Sequence, residues 1–351
     1  MNAVIFDGPY KVSLQERPVP KIQDDGDIII KVLAAGLCGS ELHMFRGLEP
    51  AKPGFVLGHE FAGIVVAKGE GVTTVNLGDK VVAPFTVSCM NCFYCKNGYS
   101  SRCLHAVVFG TERLDGGQAE YVRVPLADGT VVKAPSEIDD KALLLMADVF
   151  PTGFFGTRNA FENGLRGTAQ APGDITAVVI GCGPVGLCAL VAALEYKPKH
   201  LFAIDGVESR LELAKELGAE PLNFKTDPEG MVKRIMEVTE GRGADVVVEV
   251  VGLKPALRTA YEVVRPFGFI SSIGVHNDDM AFTATDGYDK NVRIQMGRCP
   301  VRSVFPDALR VLAKRQNMFG FMFENIMPLS DAVKGYEMFD KMQVQKVIFE
   351  P

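Results

Sequence analysis

The stretch that most constrains the fold is a glycine-rich turn between a predicted strand and a predicted helix. The β-branched run 175–180 leads directly into residues 181–186, which read Gly-Cys-Gly-Pro-Val-Gly, and residues 187–196 have a helical pattern. Between a strand and a helix, such glycines permit a tight turn and a close approach of the backbone to a pyrophosphate. The helix N-terminus then faces that group. The pattern therefore predicts a dinucleotide-binding domain.

Strands and helices continue to alternate after this turn. Strands are expected over 200–204, 245–252 and 269–274, and helices over 208–217, 228–240 and 255–264. Repeated strand–helix units predict an α/β domain with a doubly wound parallel sheet, the Rossmann arrangement.

The strand over 200–204 ends at Asp205, where an acidic side chain would bind the adenine ribose hydroxyls. A carboxylate there repels a 2′-phosphate, and no basic residue follows until Arg210. NAD is therefore predicted in preference to NADP. The alternative is that Asp205 is a turn or helix-capping residue.

The first 150 residues have a different pattern, with many short strands separated by glycine and proline. Residues 2–6 and 11–16 can pair as a hairpin, and 27–33 is strongly β-branched. This pattern predicts a small barrel or sandwich. A predicted helix over 306–315 and a final strand over 346–349 suggest that the chain ends on this first domain.

A length of 351 residues favours two domains over one core. The boundaries predicted from these patterns are 1–152 together with 290–351 for the β-rich domain, and 153–289 for the dinucleotide-binding domain.

Four cysteines lie close together in the β-rich region with the spacing C-x2-C-x2-C-x7-C. Four thiolates can surround one tetrahedral ion, and such a set forms a closed, structural zinc site. An iron–sulfur cluster and four free thiols are the alternatives. The four residues are Cys89, Cys92, Cys95 and Cys103. Of the other cysteines, Cys182 and Cys188 suit small apolar packing and Cys299 a free thiol.

A second set of metal-ligand types is spread over the first 150 residues. Cys38 and His59 each stand beside small residues, and a catalytic zinc needs only three protein ligands. Asp148 interrupts the apolar run 140–150, which is predicted to be one helix. A carboxylate buried there needs a partner, and a zinc ion would supply it. The alternative is an exposed Asp148 on an amphipathic face.

Charge and targeting signals argue against large or membranous partners. The net charge of −6 has both signs interspersed, which disfavours nucleic acid and membrane surfaces. The first residues lack a basic segment before an apolar core, and no run approaches 18 apolar residues. A cytoplasmic protein acting on a small molecule is expected.

Together these segments resemble the zinc-dependent medium-chain alcohol dehydrogenases, over essentially the whole chain. The matching segments are residues 36–43, 58–60, the four-cysteine loop, 181–186 and 346–348. The resemblance implies a Rossmann domain with a GroES-like catalytic domain, two zinc ions per chain, NAD, and reversible oxidation of an alcohol to an aldehyde or ketone. It also implies a homodimer or homotetramer.

The chain departs from the usual family pattern at the third ligand of the catalytic zinc. The family's second cysteine precedes a Thr-Gly pair, and here Asp148 precedes Thr152-Gly153. This segment is more similar to the formaldehyde dehydrogenase and dismutase branch, and to bacterial secondary-alcohol dehydrogenases that ligate through Asp. A hard oxygen in place of a soft sulfur would leave the metal a stronger Lewis acid.

The resemblance implies roles for the matching residues around the catalytic zinc. Cys38, His59 and Asp148 would bind the metal, with Glu60 near or on it. Ser40 would take the alcohol proton and pass it through the cofactor ribose to His43. Glu41 would orient His59.

Cofactor and substrate contacts are implied in the same way. Phe85 would line the substrate pocket, and the alternative is that it packs in the core. Lys346 would reach the pyrophosphate, and the alternative is a solvated position at the edge. The residues expected at the cofactor are Thr152, Gly181, Gly183, Pro184, Val185, Gly186, Asp205, Arg210, Gly274, Val275 and Lys346.

Three other functions stay open at this point. One is a zinc-independent reductase of double bonds or quinones on the same fold, and another is a non-catalytic NAD-binding protein. The third is a dismutase of the formaldehyde dehydrogenase type with tightly held NAD. Phe85, Phe109, Phe154 and Phe155 suggest an apolar pocket, but they do not distinguish primary, secondary and polyol alcohols.

Overall fold

The computed structural model describes residues Met1–Pro351, which form fifteen strands, twelve α-helices and four 3-10 segments. The strands are β1 (Asn2–Gly8), β2 (Lys11–Glu16), β3 (Ile28–Leu37), β4 (Glu60–Lys68), β5 (Lys80–Ala83), β6 (Tyr121–Val124), β7 (Val132–Lys133), β8 (Thr176–Ile180), β9 (His200–Asp205), β10 (Glu220–Asn223), β11 (Ala244–Glu249), β12 (Val264–Ser272), β13 (Arg293–Met296), β14 (Ile326–Pro328) and β15 (Val347–Glu350).

The helices vary from one turn to four. They are α1 (Glu41–Phe45), α2 (Phe93–Lys96), α3 (Ala127–Thr130), α4 (Asp140–Leu145), α5 (Val149–Gly164), α6 (Pro184–Ala193), α7 (Glu208–Glu216), α8 (Pro228–Val238), α9 (Lys254–Val263), α10 (Ala284–Lys290), α11 (Val301–Arg315) and α12 (Ala332–Asp340). The 3-10 segments are Ser100–Arg102, Pro172–Asp174, Gln316–Phe323 and Leu329–Asp331.

The chain divides into two units. The first comprises Met1–Pro151 with Pro300–Pro351, and the second comprises Thr152–Cys299. The predicted boundary at 289/290 lies too early, because β13 pairs in parallel with β12 and so belongs to the second unit. This short edge strand was not predicted, and neither was β10.

The first unit is built on a seven-stranded sheet in which β3 is central. The order is β14-β15-β3-β4-β5-β7, and β6 also pairs with β3. Ile28, Ile30 and Val32 alternate along β3 and point into one apolar core, as a half-buried strand requires. The β1–β2 hairpin is antiparallel, as predicted.

A second apolar core joins the end of the chain to the beginning of this unit. Tyr336 and Phe339 of α12 and Phe349 of β15 pack with Leu37 of β3 and Phe45 of α1. The final strand β15 pairs antiparallel with the end of β3. The last 50 residues therefore support the same end of β3 that carries the candidate site.

The second unit is a six-stranded parallel sheet, which confirms the predicted doubly wound fold. Its order is β10-β9-β8-β11-β12-β13, so the first and fourth strands of the unit are neighbours at its centre. The course of the chain reverses between β8 and β11, and ligands of open α/β sheets bind outside the carboxyl ends of the strands at such a point.

The predicted single helix over 140–150 is wrong. Helix α4 ends in turns at Met146 and Ala147, whose N–H groups donate to Leu143 and Leu144, and α5 begins at Val149. Pro151 lies in the first turn of α5, where a missing N–H is tolerated because that group has no partner within the helix. Asp148 therefore stands in the break between two helices.

The predicted helix over 306–315 begins five residues earlier, at Val301, with Pro306 inside its first two turns. None of the helices combines the length and apolarity that a bilayer crossing requires.

Candidate active site

Three buried ligand-type side chains converge at one end of the first unit's sheet. The Sγ atom of Cys38 lies 3.6 Å from Oδ2 of Asp148, and Nε2 of His59 lies 3.3 Å from the same oxygen. One ligand atom from each of the three residues lies within 4.8 Å of the other two. The predicted trio is thus brought together by the fold.

The sheet explains why two of these residues meet. Gly36 pairs with Glu60 at the end of the β3–β4 ladder, so Cys38 and His59 lie just beyond the paired residues on neighbouring strands. The break between α4 and α5 supplies Asp148. The N–H of Phe85 donates to the carbonyl of Ala147 at 3.0 Å, which ties this break to the segment after β5.

The donor set and its spacing fit a zinc ion. A tetrahedral zinc with usual bond lengths separates a nitrogen and an oxygen ligand by about 3.4 Å and a sulfur and an oxygen by about 3.6 Å. The observed separations are 3.3 and 3.6 Å. Cys38 as thiolate and Asp148 as carboxylate would balance the charge of Zn²⁺. These residues can therefore hold a catalytic zinc with one position left open.

Glu41 stands behind the histidine. Its Oε1 lies 3.6 Å from Nδ1 of His59, and its Oε2 accepts the backbone N–H of Cys38 at 2.8 Å. Burial acts to lower the pKa of His59, but Glu41 and hydrogen bonds to Asp148 and Cys38 outweigh it and hold the pKa well above the usual 6.5. The side chains around His59 therefore favour a positive charge between the three candidate ligands.

Glu60 and Lys346 form an ion pair in the interior beside this site. Oε2 of Glu60 contacts Nζ of Lys346, and both side chains are almost completely buried. Burial acts to lower the pKa of Lys346, but Glu60 raises it above its ordinary value. Oε1 of Glu60 has no hydrogen-bond partner. Lys346 is therefore neither a solvated edge residue nor freely extended, and its expected contact with the pyrophosphate stays a prediction.

Ser40 and His43 follow Cys38 in the chain, and Ser40 is exposed. Oγ of Ser40 is 3.4 Å from Nε2 of His59. His43 is half-buried and its Nδ1 lies 3.8 Å from Glu49. Burial lowers the pKa of His43, assisted by Arg46 and opposed by Glu49. His43 is thus a neutral proton acceptor near pH 7.

The four cysteines of the loop 89–103 also converge, with their sulfur atoms within 4.8 Å of one another. Sγ of Cys103 lies 3.5 Å from Sγ of Cys89, too far for a disulfide and close to the roughly 3.8 Å that tetrahedral Zn–S bonds impose. Backbone hydrogen bonds from Cys95 and Leu104 lower the pKa of Cys92 to about 6, whereas burial raises the pKa of Cys103 and raises that of Cys95 to about 12. It is therefore the convergence of the four sulfur atoms that fits a metal ion.

In the second unit, the glycine turn is tight, and two of its glycines are required by the backbone geometry. Gly181 has φ +95°, and a Cβ on Gly186 would overlap the carbonyl oxygen of Gly181. A Cβ on Gly183 would meet no atom of the chain, so packing does not require a glycine there. That space is open to a phosphate at the N-terminus of α6.

Asp205 lies at the carboxyl end of β9 beside this turn. Its Oδ2 accepts the N–H of Cys182 at 2.7 Å, and its Oδ1 accepts those of Gly206 and Val207. Arg210 approaches the carboxylate to 4.0 Å. Asp205 is therefore held in place by the turn, with one lone pair of Oδ2 left for a ribose hydroxyl. Both the turn role and the ribose role are compatible with this geometry.

A buried polar cluster at the ends of β11 and β12 was not predicted. Oε2 of Glu249 lies 2.7 Å from the hydroxyl of Ser272 and 3.0 Å from Nε2 of His276, and its Oε1 accepts the N–H groups of Val251 and Gly252. A glutamate at the end of an otherwise apolar strand was the available signal. The cluster fixes the two turns that follow β11 and β12.

The predicted aromatic pocket is only partly supported by side-chain positions. The rings of Phe85 and His59 meet edge to face, with centroids 6.0 Å apart. Phe109 is fully buried in the core against Phe61 and cannot line a pocket. Phe154 carries Arg158 over its ring, and Phe155 is buried in the second unit.

A three-ligand metal site and a dinucleotide-type sheet on one chain define a metal-dependent oxidoreductase. The model of the alcohol dehydrogenase GroES-like domain matches residues 24–136, and that of the zinc-binding dehydrogenases matches residues 184–314.

A zinc-type alcohol dehydrogenase B of Aspergillus flavus is 61% identical over 350 residues, covering 100% of this chain and 81% of that relative. A medium chain reductase/dehydrogenase of Acremonium sp. is 62% identical over 290 residues, covering 82% of this chain and 98% of the relative. The solved structure of an alcohol dehydrogenase from Thermus sp. ATN1 superposes with a TM-score of 0.90 at 34% identity, covering 100% of this chain and 99% of that one.

The chain belongs to the zinc-dependent alcohol dehydrogenases of the medium-chain dehydrogenase/reductase family. It is an enzyme that acts on alcohols, its two sets of candidate ligands are consistent with a catalytic and a structural zinc, and NAD is the cofactor typical of its family. The zinc-independent reductase, the non-catalytic NAD-binding protein and the dismutase are not favoured by these similarities.

Proposed function

We propose that Cys38, His59 and Asp148 hold the catalytic zinc of a reversible, NAD-dependent alcohol dehydrogenase. The observation that carries this assignment is the convergence of three buried donors at the separations that a tetrahedral zinc requires. The four-cysteine loop would hold a second, structural zinc, because its four thiols leave no open position for a substrate.

The chemistry of the bound groups sets what the chain's residues must do. Bound to these residues, zinc would supply a Lewis acid for the substrate oxygen, and a nicotinamide would supply an acceptor or donor of hydride. Cys38, His59 and Asp148 would keep the metal at the sheet end. Asp148 offers a hard oxygen where most relatives are expected to offer sulfur, which should strengthen the Lewis acid and loosen its binding.

Ser40 is proposed to take the proton that the alcohol loses. Its hydroxyl oxygen lies 3.4 Å from Nε2 of His59, one of the three proposed zinc ligands. His43 would accept that proton further along, since burial keeps its imidazole neutral near pH 7. Proton transfer by a positioned group of matched pKa is general acid–base catalysis.

Cofactor choice is proposed to depend on Asp205. A carboxylate fixed by three backbone N–H groups cannot turn away from a 2′-phosphate, so NADP should be disfavoured. The remaining cofactor contacts proposed in this unit are Thr152, Gly181, Gly183, Pro184, Val185, Gly186, Arg210, Gly274 and Val275. Lys346 is proposed as a further cofactor contact on the strength of the family resemblance alone.

The substrate is proposed to be an alcohol bound beside an apolar wall. Phe85 is the aromatic side chain that contacts a ligand residue, so an apolar substituent would pack there. A panel of primary, secondary and polyol alcohols with formaldehyde, assayed with NAD and with NADP, tests this proposal. We expect turnover of at least one alcohol with NAD. No turnover of any alcohol in the panel, or activity that needs no added NAD, would contradict it.

A homodimer or homotetramer in the cytoplasm is also proposed, on the strength of the family resemblance. Light scattering coupled to size-exclusion chromatography tests the oligomer, and a single-chain mass of 38.0 kDa would contradict it.

A further inference from the structure

The side chain of Gln118 links the candidate zinc site to the C-terminal helix. Its Nε2 lies 3.2 Å from the carbonyl oxygen of Gly36 and 3.4 Å from Oε1 of Glu41. Its Oε1 accepts a hydrogen bond from the hydroxyl of Tyr336 at 2.9 Å. Gln118, Glu41 and Tyr336 are all almost completely buried, so water does not compete for these bonds.

The orientation of this amide follows from its partners. The carbonyl of Gly36 and the carboxylate of Glu41 can only accept, so the nitrogen must face them and the oxygen must face the phenol. Both amide hydrogens and the amide oxygen are then satisfied. Burial, with Glu41 nearby, raises the pKa of Tyr336 well above 10, which keeps its hydroxyl a donor.

The result is a carboxylate with a fixed direction. Glu41 receives the backbone N–H of Cys38 on Oε2 and the amide N–H of Gln118 on Oε1. Oε1 then lies 3.6 Å from Nδ1 of His59, so it favours the tautomer with the proton on Nδ1. Nε2, which faces Asp148, is then the nitrogen that can bind a metal. Carboxylate partners of this kind orient a histidine ligand.

Gln118 also holds the backbone on both sides of the site. Its own N–H donates to Leu57 at 2.9 Å, two residues before His59, and its side chain reaches Gly36, two residues before Cys38. A Cβ on Gly58 would overlap Gln118, so the two segments are in direct contact.

We propose that Gln118 and Tyr336 are positioning residues for the catalytic zinc. They fix Glu41, which orients His59, and neither touches the metal or the substrate. The inference rests on the proposed ligand set of Cys38, His59 and Asp148. Zinc affinity should therefore depend on Tyr336 in helix α12 and on Gln118 in the segment before β6, as well as on the three ligands.

The size of each effect depends on which hydrogen bonds a substitution removes. Removing a partner behind a metal ligand typically weakens metal binding about 10–100-fold, and Gln118→Leu should fall in that range. Tyr336→Phe removes one hydrogen bond and should weaken binding only roughly 2–10-fold. Because Tyr336 acts through Gln118, the double variant should bind zinc no more weakly than Gln118→Leu.

The experiment measures zinc release from the purified holoenzyme to a chromophoric chelator of known affinity. The four-cysteine zinc is the internal reference and should be released as in wild type. Tyr261→Phe is the matched control, because its hydroxyl donates to the carbonyl of Asp286 at 2.9 Å in the second unit. The visible spectrum of cobalt-substituted enzyme reports ligand geometry directly and should shift in Gln118→Leu.

Wild-type release of the catalytic zinc and an unchanged cobalt spectrum in Gln118→Leu would overturn the proposal. So would strictly multiplicative losses of affinity in the double variant, or equal weakening in Tyr261→Phe. If Gln118→Leu does not fold, Tyr336→Phe decides alone, and wild-type affinity there overturns the inference. Asp148→Ala distinguishes failure of the ligand set from failure of the positioning role. If Asp148→Ala retains both zinc ions, the proposed ligand set is wrong. If Asp148→Ala loses one zinc ion but Gln118→Leu releases zinc as wild type does, only the positioning role is rejected.

Discussion

Gly36 and Glu60 pair across β3 and β4, and the missing side chain of Gly36 makes room for the carboxylate of Glu60. A Cβ built on Gly36 would overlap Oε2 of Glu60, the oxygen that contacts Lys346. The glycine is therefore required by a buried ion pair that lies one residue from His59. It is not required by its backbone angles, since its φ is not in the left-handed region.

Gly36→Ala should consequently destabilise the first unit. The added methyl group must displace the Glu60–Lys346 pair, and overpacking of this kind typically costs about 1–3 kcal/mol. Denaturant unfolding of the variant measures the decrease in stability. Gly320→Ala is the matched control, because a Cβ there meets no atom within 4 Å. Equal stability of Gly36→Ala and Gly320→Ala would contradict the account.

Lys346→Met should destabilise the protein more than replacement of both Lys346 and Glu60. It leaves the carboxylate of Glu60 buried and without its cation, and breaking a buried pair in this way costs about 3–5 kcal/mol. The double variant Lys346→Met with Glu60→Gln should recover most of that stability. Thermal and denaturant unfolding of the two variants measure the difference. A double variant less stable than Lys346→Met would show that the pair is not the cause.

Asp128 should contribute stability that is lost in acid. Burial acts to raise its pKa, but hydrogen bonds from the side chains and N–H groups of Thr73 and Thr74 lower it to about 2, below the ordinary 3.8. The folded protein therefore binds this proton less readily than the unfolded chain. The contribution is complete above the unfolded value of 3.8 and disappears as the pH falls toward 2.

The variant Asp128→Asn tests the direction of this pH dependence. Its stability deficit relative to wild type, measured by urea unfolding, should be constant from about pH 7 to pH 5 and should shrink from about pH 4 to pH 3. The exposed residue Asp278 supplies the control Asp278→Asn, which should show no such trend. A deficit that grows on acidification would contradict the assigned direction.

Cys103→Ser should remove the structural zinc and leave the catalytic site loaded. Cys103 lies 3.5 Å from Cys89 and accepts the N–H groups of Cys89 and His105, so its replacement opens the tetrahedral set. Metal analysis should fall from two zinc ions to one per chain, with a lower melting temperature. Retention of two zinc ions would show that this loop does not hold one of them.

The repeating parts of the fold could be predicted from the sequence because their patterns are local. The strand–glycine turn–helix of residues 175–196 and the β-branched runs at β3 and β11 define their own conformations. The β1–β2 hairpin is defined in the same way. The edge strands β10 and β13 are too short and too exposed to leave a pattern, so one domain boundary was misplaced.

The candidate site could be predicted only where residue chemistry is unusual. Cys38 and His59 stand out as zinc-ligand types beside small residues, and Asp148 stands out because a carboxylate is rare in an apolar run. The break at Asp148 was missed because the run of Leu and Met suits a helix, although Pro151 marked a new helix start. Gln118, Tyr336 and Glu249 act through contacts between distant segments, which spacing along the chain cannot reveal.

The central claim is that Asp148 completes the catalytic zinc site with Cys38 and His59, and the zinc content and turnover of Asp148→Ala test it most directly. We predict one zinc ion per chain, retained by the four-cysteine loop, and a fall in kcat/KM on the order of 10³-fold because the Lewis acid is absent. Asp148→Cys should restore the second zinc, because a thiolate is an equally suitable ligand. Two zinc ions and wild-type turnover in Asp148→Ala would contradict the account.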